Sequence, residues 1–485
     1  MTLDSRICYR ALRAHDARFD GRFFVAVSST RIYCRPVCTV KPPRRENCRF
    51  YPSAAAAESA GYRPCLRCRP ELAPGNASVD ATTRLAQAAA SMLEDRTLDE
   101  GGLDTVAARL GITDRHLRRA FGAEFGVSPV EFAQTQRLLL AKRLLTDTAL
   151  SVTDVAFASG FGSLRRFNAL LKQRYRLNPS QLRSQQRRHA HARGAAPSEA
   201  LNFELSFRPP YDWPALTAFL GARAVSGAEA VEGGRYRRTV RIPGDGKEHL
   251  GWIDVAMSPK KPALRVTVSA SLARTLPPVL SRVKALMDLS CHPVDVAEAL
   301  GGLAKRRPGL RVPGAFDGFE VAVRAILGQQ VTVAAARTIA GRFAAAFGDP
   351  VETPIASLTT VFPTAGKIAD VPYGQIARLG IPAARARTVV ALARAVVAGE
   401  LVLMPNADIE ATLDRLRALP GVGEWTAQYI AMRALAWPDA FPHTDLGVRK
   451  ALGETDPRRV LAAGEAWRPW RAYATMQLWE SLRKE

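Results

Sequence analysis

Four cysteines, Cys34, Cys38, Cys65 and Cys68, stand in two close pairs, and far downstream an isolated Asp445 follows the segment Leu419-Pro-Gly-Val-Gly423. Cysteine pairs at this spacing, each on a turn, can bring four thiolates to one tetrahedral centre, a sulfur set that zinc prefers and binds without redox chemistry. A closed zinc knuckle that only folds a small domain would use the same spacing. The neighbours add a chemical reading, because Arg31, Arg35, Lys41, Arg44, Arg45, Arg63, Arg67 and Arg69 crowd the segment. These cations offset the negative charge of a tetrathiolate and offer phosphate contacts, and a thiolate so placed stays nucleophilic near neutral pH. Between two helices, Leu419–Gly423 makes a hairpin whose glycines let backbone N–H groups approach a DNA phosphate, although an ordinary helix connection can also be glycine-rich. Asp445, at a loop–helix junction, reads first as an N-cap, and the same carboxylate can also do chemistry.

The elements that must position these groups follow from length and composition. A chain of 485 residues exceeds what one core usually serves, so roughly two to four domains are expected. The 47% hydrophobic content excludes a disordered chain, and the formal charge of +23 favours a polyanionic partner, nucleic acid first. No stretch approaches the roughly 18 apolar residues of a spanning helix, and the N-terminus lacks an apolar run behind a basic head. The expectation is a soluble, cytoplasmic protein with no membrane partner. Seven cysteines in a chain this long suit a metal site better than a disulfide framework, with Cys8, Cys48 and Cys291 as plain thiols.

Composition divides the chain. A turn-rich stretch at 70–76 closes the cysteine segment, and Ala-rich helical periodicity begins near Asp80. The polar, small-residue run at 185–198 reads as a linker that lets the two halves work independently. Alternating runs from Leu201 to Val268, such as Tyr236-Arg-Arg-Thr-Val-Arg-Ile242 and Leu264-Arg-Val-Thr-Val268, are strand and hairpin patterns. From Pro313 onward helices follow one another with Gly-Pro stops. Two further helical patterns repeat one plan. Leu103 to Phe121 and Val152 to Phe167 each give an apolar face, a Gly turn, a cap (Thr113, Ser163) and a basic second helix, exposing Arg115, His116, Arg118 and Arg119, then Arg165, Arg166 and Asn168.

Three resemblances are carried by these residues. Thr30-Arg-Ile-Tyr-Cys34-Arg-Pro-Val-Cys38, Arg44-Arg-Glu-Asn-Cys-Arg-Phe-Tyr51 and Gly61-Tyr-Arg-Pro-Cys65-Leu-Arg-Cys68 resemble the N-terminal domain of the Ada family over nearly all of 1–75. The resemblance implies one zinc ion held by Cys34, Cys38, Cys65 and Cys68, with Cys34 as irreversible acceptor of a methyl group from a DNA methylphosphotriester. It also implies DNA contacts at Thr30, Lys41 and Arg63, while Thr39 stands where the family commonly has an Arg. Independently of the family, methylating one thiolate removes negative charge from a surface facing phosphates and should strengthen DNA binding. The segment 80–188, with Tyr175-Arg-Leu-Asn-Pro-Ser180 at its end, resembles the AraC-type regulatory domain, which implies transcription activation and contacts from Arg115, Arg118, Arg165 and Arg166 in adjacent major grooves.

Residues 201–485 resemble AlkA-type 3-methyladenine DNA glycosylase II through Arg311-Val-Pro-Gly314, Phe319-Glu320, Arg324-Ala-Ile-Leu-Gly-Gln-Gln330, Leu419 to Ala427 and Trp467 to Trp479. The resemblance implies hydrolysis of the N-glycosidic bond of alkylated bases, with the base flipped out and the gap filled by a wedge. Gln330 takes the wedge position, where AlkA has an apolar residue, and Gly421 and Gly423 take the phosphate hairpin. Trp425 and Trp479 would line a pocket whose electron-rich faces attract a cationic base. Asp445, at the family's spacing after Trp437 to Thr444, would stabilise the oxocarbenium-like sugar and orient water. Trp425 stands where bifunctional relatives carry a lysine, so no lyase step is expected. Ser290-Cys-His-Pro-Val294 superficially resembles the active site of alkylguanine methyltransferases but lacks its leading proline and its arginine, so no O6-alkylguanine transfer is expected. Neither an iron–sulfur cluster nor a nucleotide cofactor is expected.

The fold expected is multidomain α+β. A small zinc-bound α/β domain at 1–75 precedes an all-α tandem helix-turn-helix domain at 80–188 and a linker at 189–200. A small antiparallel-sheet α+β domain at 201–310 and an all-α helix-hairpin-helix glycosylase domain at 311–485 complete the chain. The function expected is a bifunctional alkylation-damage response protein, likened above to a suicide methyl acceptor, an activator and a monofunctional glycosylase. Its partners would be damaged and promoter double-stranded DNA and RNA polymerase, and it would act as a monomer. The alternative is a transcription regulator whose glycosylase-like half is only a DNA-binding scaffold.

Overall fold

The computed structural model describes residues 4–74, 81–94, 102–148, 150–183, 200–244, 246–405 and 408–483, so the linker at 189–199 lies outside the described residues. The cysteine segment folds around a four-stranded sheet, ordered Cys48–Tyr51, Phe24–Val27, Ile32–Cys34 and Arg63–Pro64. The first three strands pair antiparallel, and the last pairs parallel to Ile32–Cys34 with Ile32 opposite Arg63 and Tyr33 opposite Pro64. That register is what brings the cysteines together: both strands run directly into a ligand loop, so Cys34 and Cys65 leave the sheet side by side. Arg31 turns the hairpin in the left-handed region at φ 56°.

The helical segment that follows contains Ala81–Glu94, Gly102–Arg109, Asp114–Phe125, Pro129–Asp147, Val152–Ala158 and Leu164–Tyr175. The expected caps are in place: Thr113 accepts from His116 N and Ser163 from Arg166 N. A capping box of Ser128 and Glu131 starts the 19-residue helix Pro129–Asp147 that joins the two repeats. These contacts satisfy backbone donors that a helix start otherwise leaves open, each worth about 1 kcal/mol.

Beyond the linker an all-antiparallel five-stranded sheet runs in the order Ala200–Ser206, Ala263–Ser269, Lys247–Met257, Arg235–Gly244, Glu229–Glu232. Alternation carries it: in Ala263–Ser269 the even positions Leu264, Val266 and Val268 are fully buried while Arg265 is exposed. From Gly318 the chain is helical except for the two-residue strands Asp349–Pro350 and Thr360–Val361.

The two halves do not stand apart. One continuous core contains Leu138, Leu144, Phe167 and Leu171 of the regulatory helices, Phe203 and Leu205 of the sheet, and Ala427 and Ile430 beyond it. Buried charges reinforce the junction. Lys142 Nζ, 1% exposed, lies 2.6 Å from Glu71, which also pairs with Arg69; Arg69 in turn reaches Asp147, and Arg143 donates to the Glu204 carbonyl of the sheet at 2.7 Å. Independent action of the halves across a linker was the expectation, and this shared core runs against it. Arg35 and Arg69, expected to face phosphates, are likewise turned inward: Arg35 pairs with Asp20 and donates to Ser206 Oγ of the sheet at 3.1 Å. A guanidinium in sequence looks solvent-exposed, but a buried carboxylate facing it changes where it belongs.

Glu58 closes the junction between the zinc domain and the regulatory helices. It accepts from Tyr33 (3.0 Å), from Tyr175 at the end of the second basic helix (3.2 Å) and from Thr135 (3.3 Å). Burial pushes its carboxyl up to about 7, against the pull of those three hydroxyls. The folded value lies above the ordinary 4.5, so the folded protein keeps a proton that the unfolded chain has released. This stability is fully present below about pH 4.5 and is lost as pH rises through about 7, by about 3 kcal/mol in all. Glu58→Gln should flatten that loss and leave the protein more stable than wild type at pH 8. Denaturant midpoints of both proteins at pH 5 and pH 8 check it, and an equal fall in both would sink it.

Candidate zinc centre and base-excision site

The ligand atoms of Cys34, Cys38, Cys65 and Cys68 all lie within 4.8 Å of one another. Four thiolates this close repel unless a dication sits among them, and sulfurs on a tetrahedral zinc at about 2.3 Å bond length fall within that separation. The donor set therefore fits one zinc ion. The four sulfurs are not equivalent. Backbone N–H groups reach three of them: Arg35 N to Cys68 Sγ at 3.3 Å, Arg67 N to Cys65 Sγ at 3.4 Å, and Val40 N to Cys38. Cys34 and Cys68 are half-buried, and Cys38 and Cys65 are buried. Thr30 and Lys41 are exposed and Arg63 is half-buried.

On the regulatory helices Arg115, Arg118, Arg165 and Arg166 are all exposed, as are His116, Arg119 and Asn168. Arg118 Nε is held 2.7 Å from Asp114, one turn earlier, a surface pair that a phosphate can replace. The remaining cysteines are closed off. Cys8, Cys48 and Cys291 are buried, and burial pushes the Cys291 thiol up to about 12.

In the C-terminal helices the hairpin lies between Ile409–Ala418 and Glu424–Arg433. Gly421 has φ 83°, and a Cβ there would come 2.7 Å from Thr388 Oγ1, which itself donates to Pro420 O at 2.7 Å. Gly423 occupies the N-cap of the second helix. Gln329 ties the hairpin to the loop before it, donating to Gly421 O and Thr426 Oγ1, both at 2.9 Å. The next residue, Gln330, is exposed and held in the left-handed region at φ 54°, a conformation a non-glycine residue rarely adopts without a reason.

Asp445 is both the N-cap and the centre of a convergent site. Its Oδ1 accepts from Val448 N at 3.0 Å, starting the helix Leu446–Leu452, and from Trp479 Nε1 at 2.8 Å; its Oδ2 accepts from Trp425 Nε1 at 2.7 Å. The two tryptophans thus clamp the carboxylate through their N–H edges. Trp425 stacks on Tyr429 at 5.3 Å, and Trp479 stacks on Phe219 at 6.3 Å, leaving a cavity of about 380 Å³ beside Asp445. Trp425, Tyr429 and Trp479 wall the cavity, and Asp445 shares the lining with Arg223, Arg324, Arg337 and Arg433; aromatic faces of this kind suit a flat base. Burial alone would raise the Tyr429 phenol, yet Arg433, Arg223 and Arg324 bring it below its ordinary value.

Sequence reading missed Tyr429, Phe219, Arg223, Gln329 and Gly447. Tyr429 had a signal, since it lies one helical turn after Trp425. Phe219 and Arg223 come from the helix of the preceding sheet domain and had none. Gly447 is a matter of space: a Cβ there would meet Trp479 Cδ1 at 2.9 Å and Asp445 Oδ1 at 3.0 Å. Gly447→Ala should displace the indole from the carboxylate and lower base release about 100-fold, the scale of a 1 Å misplacement at a reacting centre. Single-turnover release beside a thermal melt checks this, and wild-type release from Gly447→Ala would refute it.

Four family matches follow one another along the chain: the metal-binding domain of Ada at 7–71, a helix-turn-helix domain at 106–185, the AlkA N-terminal domain at 202–317, and the HhH-GPD superfamily base excision DNA repair protein at 323–458. The chain is 40% identical over 490 residues to a probable bifunctional transcriptional activator/DNA repair enzyme AlkA of Mycobacterium tuberculosis, with 99% of this chain and 97% of that protein covered. It is 35% identical over 277 residues to the DNA-3-methyladenine glycosylase 2 of Escherichia coli, which covers 57% of this chain and 96% of that enzyme. Among solved structures, a 3-methyladenine DNA glycosylase from Archaeoglobus fulgidus shares the fold of the C-terminal half with a TM-score of 0.50 at 22% identity, over 57% of this chain and 97% of that one. Among the described residues no helix is long and apolar enough to cross a membrane. With matches in this order and a relative aligned from end to end, the chain belongs to the family of bifunctional transcriptional activator/DNA repair enzymes AlkA.

Proposed function

We propose that this chain releases alkylated bases of the 3-methyladenine and 7-methylguanine class from double-stranded DNA, accepts methyl groups from DNA methylphosphotriesters on Cys34, and activates transcription. The observation that carries the first part is the Asp445 carboxylate held by Trp425 and Trp479 at the wall of an aromatic cavity. The flipped base stacks against those rings, Gln330 enters the gap it leaves, and Gly421 and Gly423 present backbone N–H groups to a phosphate. The C1′–N bond breaks with its electron pair leaving on the base. Asp445 stabilises the positive charge that appears on the sugar and directs water to C1′. With Trp425 in place of a lysine, hydrolysis ends the reaction without a Schiff base.

In the second activity Cys34 Sγ attacks the phosphotriester methyl carbon: the S–CH3 bond forms, the O–CH3 bond breaks, and a phosphodiester anion leaves. Zinc, when bound, supplies a sulfur that stays deprotonated without a base. Thr30, Lys41 and Arg63 hold the surrounding backbone. Arg115, Arg118, Arg165 and Arg166 enter promoter DNA, where the protein works as a cytoplasmic monomer beside RNA polymerase. Methyl transfer is tested with Cys34→Ser: labelled methyl from a methylphosphotriester duplex should appear on the wild type and fall below detection on the variant, with base release unchanged at a temperature where both proteins are folded. Label on the variant at the wild-type level would move the acceptor elsewhere. Base release itself is tested on methylated duplex DNA, and its absence from folded, DNA-bound protein would leave only a regulator.

A further inference from the structure

The cavity of about 380 Å³ beside Asp445 has guanidiniums in its lining as well as aromatic rings: Arg223, Arg324, Arg337 and Arg433. They are not equivalent. Arg433 is committed to the chain, with Nε donating to Pro313 O, Nη2 to Gly314 O at 3.1 Å and Nη1 to Tyr429 Oη at 2.8 Å. Arg324 is neutralised, its Nη1 lying 2.9 Å from Glu229 and 2.8 Å from Glu320. Arg337 is exposed, where water and salt screen its charge.

Arg223 differs from all three. It is half-buried, its Nη1 donates to Phe219 O at 3.3 Å, and its guanidinium lies 3.8 Å over the Phe219 ring, which fixes the plane of the group. That ring stacks at 16° on Trp479, whose Nε1 donates to Asp445 Oδ1 at 2.8 Å, so one wall of contacts runs from Arg223 to the carboxylate. The groups that act on Arg223 most are the Tyr429 phenol and the guanidiniums of Arg433 and Arg324, and among the described residues no carboxylate pairs with it. A guanidinium has five N–H donors and no acceptor. Phe219 O and Tyr429 do not saturate them, so Arg223 keeps donors for a ligand in the cavity.

We infer that Arg223 is a specificity-determining residue, which donates to a ring carbonyl of the flipped base and so favours alkylated purines with a carbonyl at C6, 7-methylguanine among them, over those with an amino group there, such as 3-methyladenine. The inference rests on the base excision proposed above for this cavity. A carbonyl accepts the guanidinium N–H. An exocyclic amino group turns hydrogens toward hydrogens and leaves a desolvated donor unpaired, and a site built on such a hydrogen bond discriminates more strongly than one that only changes shape. Charge drops out of the comparison. Both nucleosides carry a positive charge once a ring nitrogen is alkylated, so repulsion from the guanidiniums is common to both and the group at C6 is what differs.

One preparation of methylated duplex DNA carries both lesions, so the full-length zinc-loaded protein reports both bases from one reaction, with release from protein-free DNA subtracted. The ratio of single-turnover rates for 7-methylguanine and 3-methyladenine should fall about tenfold in Arg223→Met, the scale of one hydrogen bond to a charged group. Arg223→Lys, which keeps a charged donor, should restore much of that ratio. A residue that only supported Phe219 would slow both bases together, so an unchanged ratio in Arg223→Met overturns the proposal. Wild type gives a second reading that needs no variant to fold. Quenching of tryptophan fluorescence should show free hypoxanthine, with a carbonyl at C6, binding about tenfold more tightly than adenine, with an amino group there, and equal binding overturns the proposal. If neither lesion is released, the excision reading fails, and the preference between these two free bases decides the role of Arg223 by itself.

Discussion

Asp445→Asn should lower base release from methylated duplex DNA by about 1,000-fold while leaving DNA binding intact. The size follows from what is removed: a fixed charge aimed at a developing charge in a site shielded from water contributes about 3 to 4 kcal/mol to the transition state. The geometry adds a second effect. The carboxylate accepts from two indoles and a backbone N–H, and an amide has only one oxygen to offer them. In either orientation of the amide, one indole N–H faces an NH2 group, so Trp425 or Trp479 must move. The two effects separate with Trp425→Phe, which keeps an aromatic wall and removes one donor. That variant should lose only about tenfold, the value of one hydrogen bond to a charged group. Single-turnover release of 7-methylguanine, with tryptophan fluorescence to follow the indoles, checks both. If Asp445→Asn released base at the rate of Trp425→Phe, the carboxylate would be a cap and a tryptophan anchor rather than the group that stabilises the sugar.

What could be read in the sequence and what could not divide along a physical line. The four cysteines were legible because a zinc site needs ligands in close pairs, and the strand register Tyr33 opposite Pro64 only had to bring the pairs together. The caps Thr113 and Ser163 were legible because capping is local. Alternation in Leu264–Val268 gave the sheet for the same reason. The site around Asp445 was legible in its members but not in their contact. Trp479 is 34 positions away and Trp425 is 20, and nothing in either spacing says that both indoles donate to one carboxylate. The domain seam was illegible altogether. Arg35 reads as a cation offered to phosphates, nothing in the sequence marks Lys142 or Arg208 as buried, and only the fold reveals Glu71, Asp20 and the carbonyls that hold them inside. The consequence is that a boundary drawn from composition at 189–200 describes the chain but not its energetics.

That seam leads to the second large effect: removing zinc should destabilise the whole chain and not the zinc domain alone. The loops 34–38 and 65–68 contain no strand or helix beyond Cys34, so the metal is what fixes them. Both loops are also anchors for the other domains. Cys65 O accepts from Lys142 Nζ at 3.4 Å, and Arg35, between the first two ligands, reaches Asp20 and Ser206. If the loops relax, Arg35 loses the carboxylate of Asp20 that compensates its burial, and Lys142 loses the Cys65 carbonyl while keeping Glu71. Stranding a buried charge costs about 3 to 5 kcal/mol. At about 2 to 4 °C per kcal/mol for a domain of 150 to 250 residues, loss of one such partner should lower the midpoint by about 10 °C. Calorimetry of the full chain before and after chelation, and of Cys65→Ser, should show the transition that contains the C-terminal helices moving down together with that of the zinc domain. Heated to a temperature between the two midpoints, the metal-free protein should lose base release while the zinc-loaded protein keeps it. A separate low transition for the zinc domain, with the midpoint of the glycosylase half unchanged, would instead mean that the buried ion pairs at the seam are incidental contacts between domains that fold alone.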